Sequence, residues 1–257
     1  MRNQIRHRTT LVVVTMCALV IPLVGGAQPF ASPSRAGDGF LFGRPRGTLS
    51  LRGGFAQPTA RSDVFTDATR FLTLSRGDFG SAAAGADLGI RITERYEVQL
   101  GAGFSVRRIA SESRDYVGTD DLPIKQTTIF RRVPVTAGLK YNLTPPGRSL
   151  GTLAWIPSRW TPFVAAGGGV MYYSYKQDGE FVDFKDFGIF PESLESKGWG
   201  PSAYGAAGID LSLTPHVGLT SQARYDYARG TMGRDFDGFN RIDLSGISAT
   251  VGINLRF

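Results

Sequence analysis

The last residues of the chain carry the pattern that most restricts its fold. From Ile247 to Phe257 the odd-numbered side chains are apolar, while the even-numbered ones are Ser, Thr, Gly, Asn and Arg. Successive side chains of a β-strand point to opposite faces, so this segment has one apolar and one polar face. A tilted membrane strand takes about 9–11 residues, whereas strands of soluble proteins usually take about five or six. The pattern therefore predicts a membrane-spanning strand that closes a transmembrane β-barrel.

Residues 1–27 have the composition of a cleavable secretory signal peptide. Arginines near the start precede an apolar run from Leu11 to Leu23, and small residues lead to Ala27. This order is typical of signal peptides, and the run is shorter than the ~20 residues that a membrane helix needs. We expect cleavage after Ala27. Cys17, the only cysteine, would be removed with the peptide, which leaves no thiol for a disulfide or a cysteine-based site.

The expected mature chain divides into a leader and a barrel domain. Residues 28–45 are rich in Gly, Pro and Ser and predict a flexible periplasmic leader. Its apolar stretch Phe40–Phe42 either lies against the barrel rim or begins a strand. Residues 46–257 form the predicted barrel. Loss of the signal peptide removes three arginines and no acidic residue, so the formal net charge falls from +7 to +4. The cations are spread along the chain, a distribution that does not indicate nucleic-acid binding.

Eight Gly-rich segments alternate like the last one and predict an all-β fold, an eight-stranded antiparallel up-and-down transmembrane barrel. An Arg or Lys that faces lipid at the membrane centre costs roughly 2–4 kcal/mol. The charged side chains of these segments must therefore point inward. The predicted interior set is Arg52, Asp87, Arg91, Glu97, Arg107, Arg132, Lys140, Asp210, Arg224, Asp226 and Arg256.

Two interpretations of this interior set are open. An eight-stranded barrel is just wide enough for side chains to fill, so the charges can form a network of ion pairs and hydrogen bonds. Cations outnumber anions in the set, so the alternative is a charged lumen that passes anions.

The connections predict the orientation of the barrel, because bacterial barrels combine short periplasmic turns with longer outer loops. Residues 93–95 and 214–216 are short turns. The predicted outer loops are 57–80, 109–124, 178–198 and 229–240. One inner connection, 144–160, is long, and we expect its Trp155 and Trp160 to anchor at the inner membrane surface.

Three positions disturb the regular pattern. Pro134 lacks an N–H for the ladder and predicts a local irregularity. The segment from Phe163 to Lys176 has Gly and Tyr on both faces, so its register is weakly specified. Ile242 and Leu244 are apolar at even positions, which indicates either a β-bulge or a strand that is leaving the membrane.

Motifs for enzyme chemistry, metals and cofactors are nearly absent. The only histidine after the signal peptide is His216, in a predicted periplasmic turn. Gly167–Gly169 lies within an alternating segment without a following helix, so it does not predict a phosphate loop. We therefore expect no catalytic site, no cofactor and no metal.

Phe181, Phe184, Phe187 and Phe190 recur at every third position of an outer loop. Such a stripe either packs the loop onto the barrel mouth or forms an apolar entrance or partner contact.

On these features the chain resembles the eight-stranded outer-membrane β-barrel proteins of the OmpA, OmpX and OmpW type, over about residues 46–257. Its terminal Val251, Ile253, Leu255 and Phe257 are similar to the C-terminal aromatic signal that the barrel-assembly machinery reads. The resemblance implies a bacterial outer-membrane location, contact with outer-membrane lipid and assembly by that machinery. The resemblance does not decide between three functions: a structural barrel, surface adhesion and the passage of small molecules.

The leading hypothesis is a non-enzymatic integral outer-membrane barrel with an interior filled by polar side chains. Its surface loops would serve structural or interaction roles, including contact with an extracellular ligand. The alternative is a small porin-like or OmpW-like channel for hydrophobic or anionic solutes, and an enzyme is the third class considered.

Overall fold

The computed structural model describes residues 41–117, 122–151, 154–182 and 188–257. Eight long antiparallel strands dominate it and follow one another around a ring. The predicted signal peptide lies outside the described residues. The strands, in chain order, are β1 (Gly47–Pro58), β2 (Ser81–Arg91), β3 (Tyr96–Val117), β4 (Pro123–Asn142), β5 (Trp160–Val182), β6 (Ile189–Ser212), β7 (Val217–Gly230) and β8 (Gly246–Arg256).

Shorter elements lie at both ends of the ring. Helix α1 (Asp63–Phe71) and the 3₁₀ turn Arg76–Phe79 follow β1, and the 3₁₀ turn Arg234–Phe236 follows β7. The short strands are Leu41–Phe42, Gly147–Leu150, Ala154–Pro157 and Ile242–Asp243. None of the helices in the described part of the chain is both long and apolar enough to cross a membrane.

The sheet closes on itself through its last strand. Leu255 of β8 lies opposite Val217 of β7 and also opposite Leu49 of β1. β7 pairs in addition with β6, so each long strand has a partner on both sides. Where all eight strands are paired, closure leaves no exposed sheet edge. The predicted eight-stranded up-and-down barrel is therefore confirmed.

The outer surface of the membrane-spanning part is apolar. Val251 and Ile253 of β8 are 65% and 51% exposed, whereas Asn254 and Arg256, at the alternate positions of the same strand, point inward and are buried. Paired aromatic rings mark both ends of this surface. Tyr96 and Tyr141 lie 4.9 Å apart at the inner end, and Tyr172 and Trp199 lie 5.3 Å apart at the outer end. Such girdles are typical of outer-membrane barrels at the two lipid interfaces.

Four strands continue far beyond the membrane. β3 to β6 contain 22, 20, 23 and 24 residues, about twice the number that a tilted membrane strand needs. The prediction that 109–124 and 178–198 are loops is therefore wrong, because most of these residues continue the two hairpins. β4 and β5 also pair with each other along these extensions, so the two hairpins form one four-stranded sheet whose outer edges are β3 and β6.

An apolar core fills the barrel mouth between these hairpins. Helix α1 contributes Val64, Phe65 and Ala68, whose i, i+1 and i+4 spacing places them on one face. Ile242 and Leu244 are fully buried in the same core. Even-numbered residues are also the inward ones in β8. The short strand Ile242–Asp243 and β8 pair with β7 in the same register, although Leu244 and Ser245 separate them. No β-bulge is present; the strand leaves the membrane and its inward face becomes apolar.

The inner end is covered by the long connection 144–160. Its two short strands pair with each other, and Leu41–Phe42 pairs with Trp155 and Ala154. Trp155 is only 1% exposed, so its prediction as a membrane anchor is wrong, whereas Trp160 is 53% exposed. Leu41 and Phe42 form a short strand of this cover, which agrees with the second of the two interpretations given for this apolar stretch.

The irregularity predicted at Pro134 is present in the ladder between β3 and β4. Ala102 pairs with Val135 and Ser105 pairs with Arg132, while the two positions between them form no ladder pair. The missing N–H of proline explains the interruption. The register on either side is unchanged, so the barrel wall keeps its strand order there.

Candidate functional site: the barrel interior and its outer mouth

Three ion pairs cross the polar interior at the level of the membrane. The Arg52 guanidinium lies 2.5 Å from Asp87, Lys140 Nζ lies 2.6 Å from Asp210, and Arg224 lies 2.7 Å from Asp226. The side chains in each pair are at most 12% exposed. Removal of one partner would leave a buried charge without a counterion, which is far more costly than loss of an exposed pair.

Strand periodicity and small residues explain how these charges meet. Arg224 and Asp226 are two positions apart on β7, so both point inward. Lys140 and Asp210 lie on β4 and β6 and meet across β5, whose inward residue beside Lys140 is Ala165. The Lys140 ammonium also lies 4.0 Å from the centroid of the Phe163 ring, a cation–π contact.

The inner end of the interior holds the remaining predicted charges. Glu97 accepts hydrogen bonds from Thr48 at 2.8 Å and Gln99 at 3.2 Å. Arg91 donates to the Pro45 carbonyl at 3.0 Å, and its guanidinium lies 5.8 Å from the Trp155 ring centroid. The connection 144–160 thus closes over a cationic inner end.

Several buried polar atoms at this inner end have no protein hydrogen-bond partner within the described residues. They are Arg91 Nε, Asn142 Oδ1, Thr161 Oγ1, Asp210 Oδ1 and Arg256 Nη1. Buried polar groups of this kind are usually satisfied by ordered water.

Arg132 and Arg107 occupy different positions, although both were predicted in the interior. Arg132 is buried at the upper limit of the polar interior, where it donates to the Leu244 carbonyl at 3.1 Å. Arg107 is exposed beyond the membrane and donates to the Asp78 carbonyl at 2.9 Å. The interior assignment of Arg107 is wrong because β3 has already left the membrane at that position.

The free space within the polar interior is small. A cavity of about 60 Å³ lies among Arg52, Arg132, Arg224 and Asp226 and reaches the wall near Pro134. A water molecule in liquid takes about 30 Å³. The cavity has room for a few water molecules and is far smaller than the roughly 300 Å³ of a small-molecule site.

The outer apolar core is held by aromatic edge contacts. The Phe65 ring centroid lies 4.9 Å from that of Phe79, 5.3 Å from that of Phe130 and 5.5 Å from that of Tyr175. All four rings are buried, and burial raises the pKa of the Tyr175 hydroxyl. The Tyr173 hydroxyl donates to the Thr231 carbonyl and lies 3.0 Å from Ser196 Oγ. These contacts close the barrel mouth with an apolar layer directly above the charged interior.

A second, larger cavity lies beside this core at the outer end. Its volume is about 380 Å³, and its wall combines helix α1, the two long hairpins and the 3₁₀ turn Arg234–Phe236. Apolar side chains dominate the lining, among them Phe71, Leu72, Phe181 and Phe236. Volume and lining are those of a small-molecule site.

The predicted aromatic stripe is only partly described. Phe181 and Phe190 lie opposite each other at the end of the β5–β6 hairpin, with ring centroids 6.4 Å apart. Phe181 lines the outer cavity, whereas Phe190 does not. Phe184 and Phe187 lie outside the described residues.

The residues of the predicted assembly signal, Val251, Ile253, Leu255 and Phe257, are all exposed on the outer face of β8. The Phe257 carbonyl accepts hydrogen bonds from Arg46 N at 2.9 Å and Gly47 N at 2.8 Å. The Phe257 ring also covers Gly47, where a Cβ atom would lie 2.3 Å from Cε2 of the ring. The chain end is thus joined to the start of β1 at the inner rim.

The outer cavity was missed by sequence reasoning, although one signal was available. Val64, Phe65, Ala68 and Leu72 recur with helical spacing in a segment predicted only as a loop, after Ser62 at the N-cap position. This pattern indicates an amphipathic helix that needs an apolar surface to cover. It does not indicate which strands supply that surface.

No group of three His, Cys, Asp or Glu side chains with the arrangement of a metal site occurs in the described part of the chain. His216, at the β6–β7 turn, lies with its Nδ1 3.3 Å from the Arg256 carbonyl oxygen. It therefore occupies the inner end, as the sequence predicted.

Comparisons with known proteins concern the fold. No protein-family model and no curated protein matches the chain. Among solved structures, the outer membrane protein OprG from Pseudomonas aeruginosa is 17% identical with a TM-score of 0.48, and the match covers 84% of this chain and 99% of OprG. A major outer membrane protein from Thermus thermophilus is 11% identical with a TM-score of 0.44, over 82% and 98%. The outer membrane protease OmpT from Escherichia coli is 11% identical with a TM-score of 0.35, over 83% and 95%.

The fold is that of outer-membrane β-barrel proteins. A barrel fold does not fix a function, so function has to be argued from the interior and the mouth described above.

Proposed function

We propose that the protein is a non-conducting, non-enzymatic barrel of the bacterial outer membrane whose function is binding at its outer end. The observation that carries this proposal is the double closure of the lumen. Buried ion pairs fill the barrel at membrane level, and the apolar core around Phe65 covers them. A hydrated solute would have to displace both layers.

The non-enzymatic part of the proposal is supported by the placement of the reactive side chains. His216, the general acid–base residue best suited to neutral pH, is at the inner rim. The interior carboxylates are held in ion pairs or hydrogen bonds, which suits a structural role. The outer cavity has carboxylates at its rim but no His, Ser–Lys or Cys–His arrangement among its lining residues.

Solute flux through liposomes tests this function. The expected mature chain, residues 28–257, is refolded, and heat-modifiable gel mobility verifies that the barrel has formed. We expect no flux of small sugars or anions. A variant that lacks residues 61–79 loses the apolar layer and should also not conduct, because the interior ion pairs and the inner cover remain. Flux through the folded natural sequence would contradict the proposal.

A second candidate function is passage of small apolar solutes through the barrel wall. It is favoured by the ladder interruption at Pro134, where the small interior cavity reaches Ala84 and Phe104 of the lipid-facing surface. Replacing Pro134 with valine restores the missing N–H and should close this route. Uptake of an apolar dye into liposomes that is unchanged by Pro134→Val would eliminate it.

Location and biogenesis follow the same proposal. The apolar belt between two aromatic girdles supports direct contact with outer-membrane lipid, and the predicted signal peptide supports export through the inner membrane. We include recognition of Val251, Ile253, Leu255 and Phe257 by the barrel-assembly machinery, supported by their exposure along one face of β8.

A further inference from the structure

The cavity at the outer end combines an apolar wall with a rim of one charge sign. Phe71 of helix α1 and Phe181 of β5 line it from two sides, and Leu194 and Phe236 line it from others. Phe71 is 40% exposed, so the wall is accessible from the outside. Its volume of about 380 Å³ lies in the range of sites for small organic molecules.

All charged side chains that line the cavity are carboxylates. They are Asp67 of helix α1, Glu180 of β5 and Asp235 of the 3₁₀ turn. Asp235 Oδ2 accepts a hydrogen bond from Glu195 N at 3.0 Å. Asp67 and Glu180 form no side-chain hydrogen bond or ion pair with any residue that the structure describes. Among the residues that the structure describes, no cationic side chain pairs with these two carboxylates.

Two arginines beside helix α1 make other contacts. The Arg114 guanidinium donates to the Leu72 carbonyl at 2.8 Å, and the Arg70 guanidinium lies 5.4 Å from the Phe71 ring centroid. Neither arginine lines the cavity. The contact of Arg70 with Phe71 shows that an aromatic ring of this wall can receive a cation on its face.

We propose that this cavity binds a small organic cation with an aromatic or aliphatic body. The body replaces water against Phe71, Phe181 and Phe236, and the cationic group lies at the rim near Asp67, Glu180 and Asp235. Apolar contact supplies affinity, because it removes hydrocarbon from water. The carboxylates supply selectivity, because they favour a cation and repel an anion of the same shape.

This inference rests on the proposed function, since it names the ligand class for the outer end of the barrel. Different experiments test the closed lumen and the ligand class. Flux tests whether the lumen is closed, whereas equilibrium binding to the folded protein tests the cavity.

The experiment is isothermal titration calorimetry of the refolded chain in lipid nanodiscs with three probes. They share a phenylbutyl group and differ only in the terminal group. The probes are 4-phenylbutyl-trimethylammonium, 4-phenylbutanol and 4-phenylbutyl sulfonate, with empty nanodiscs as the blank. We expect the cation to bind most tightly and the sulfonate least. Equal affinity for the three probes would overturn the charge selectivity, and no binding of any probe would overturn the site.

Two variants assign binding to this cavity. The combination of Asp67→Asn, Glu180→Gln and Asp235→Asn keeps the shape of the cavity. It should lower the affinity for the cation roughly five- to thirty-fold, as expected for three exposed charge pairs, and leave the affinity for the alcohol unchanged. Glu112→Gln is the matched control, because Glu112 is an exposed carboxylate on β3 outside the lining. Phe181→Ala should lower the affinity for all three probes, because it removes part of the apolar wall. A cation affinity that the triple variant and Glu112→Gln change equally would overturn the proposal.

Discussion

Replacing Phe65 with alanine should detach helix α1 from the outer core while the membrane-spanning part stays folded. Phe65 is fully buried, and its ring makes edge contacts with Phe79, Phe130 and Tyr175. The strand ladders and interior ion pairs that hold the barrel do not include Phe65. The substitution therefore acts on the contacts that close the mouth.

The magnitude follows from the buried ring and its neighbours. Truncation of a buried Phe to Ala typically costs about 3–5 kcal/mol, and each edge-on aromatic pair contributes about 0.5–1.5 kcal/mol beyond area burial. Because Phe65 loses three such pairs, we expect the upper part of the first range. A loss of about 4 kcal/mol raises the equilibrium constant for local opening by roughly a thousand-fold.

Amide hydrogen exchange of the protein in nanodiscs measures this opening at residues 61–72. The matched control is Phe71→Ala on the same helix, since Phe71 is 40% exposed and should change exchange by less than about tenfold. Strand amides of β1 and β8 should keep their protection in both variants. Equal acceleration by Phe65→Ala and Phe71→Ala, or loss of heat-modifiable mobility in Phe65→Ala, would refute the separation of mouth from barrel.

Three further predictions concern the interior, the outer loops and the chain end. Lys140→Met should destabilise the barrel by about 3–5 kcal/mol in urea unfolding, because Asp210 would stay buried without its counterion. Burial alone would raise the pKa of Asp243, but hydrogen bonds from Thr59, Ser245 and Arg61 hold it below its ordinary value. That stabilisation is complete above about pH 4 and is lost as pH falls through the lowered pKa. The protection factors at residues 59–62, corrected for the intrinsic pH dependence of amide exchange, should therefore fall on acidification. Phe257→Ala should lower the amount of assembled protein in cells while the refolded protein keeps its stability within about 1 kcal/mol.

Each of these has a discriminating control. Combining Lys140→Met with Asp210→Leu should recover most of the lost stability, since both charges are then absent; an additive loss would show that the pair is not coupled. Asp243→Asn should remove most of the pH dependence of the protection factors at residues 59–62 between about pH 3 and 5. An equal loss of assembly in cells and of stability after refolding would assign Phe257 a structural role rather than recognition.

Side-chain alternation was sufficient to predict the barrel and most of its interior. Arg52, Asp87, Lys140, Arg224 and Asp226 all lie on the inner face where strand parity places them. The reason is energetic, because at membrane level an error of one residue exposes charge to lipid. The pairing of particular charges was not predictable, since Lys140 and Asp210 meet across β5 through the small side chain of Ala165.

Beyond the membrane, side-chain alternation was misleading, because apolar residues there can face the inside of the barrel and charged residues can be exposed to water. Inside the mouth Ile242 and Leu244 are buried, while Arg107 on the extended part of β3 is exposed to water. The sequence alone does not mark the level at which this reversal occurs. Trp155 shows the same difficulty at the inner end, because the partners that bury it, including Leu41, are distant in the chain.

The reversal of polarity along the strands has a mechanical consequence. Below the outer girdle the strands are polar inward and apolar outward. Above it, the extensions of β4 and β5 are apolar inward, where Phe130, Tyr173 and Tyr175 join the core, and carry polar residues such as Arg131 and Lys176 on the other face. Any vertical displacement of the molecule would pull apolar belt residues into water at one surface and push polar hairpin residues into lipid at the other. The immersion depth is therefore encoded in the strands themselves, and the outer cavity is held at a fixed height above the cell surface.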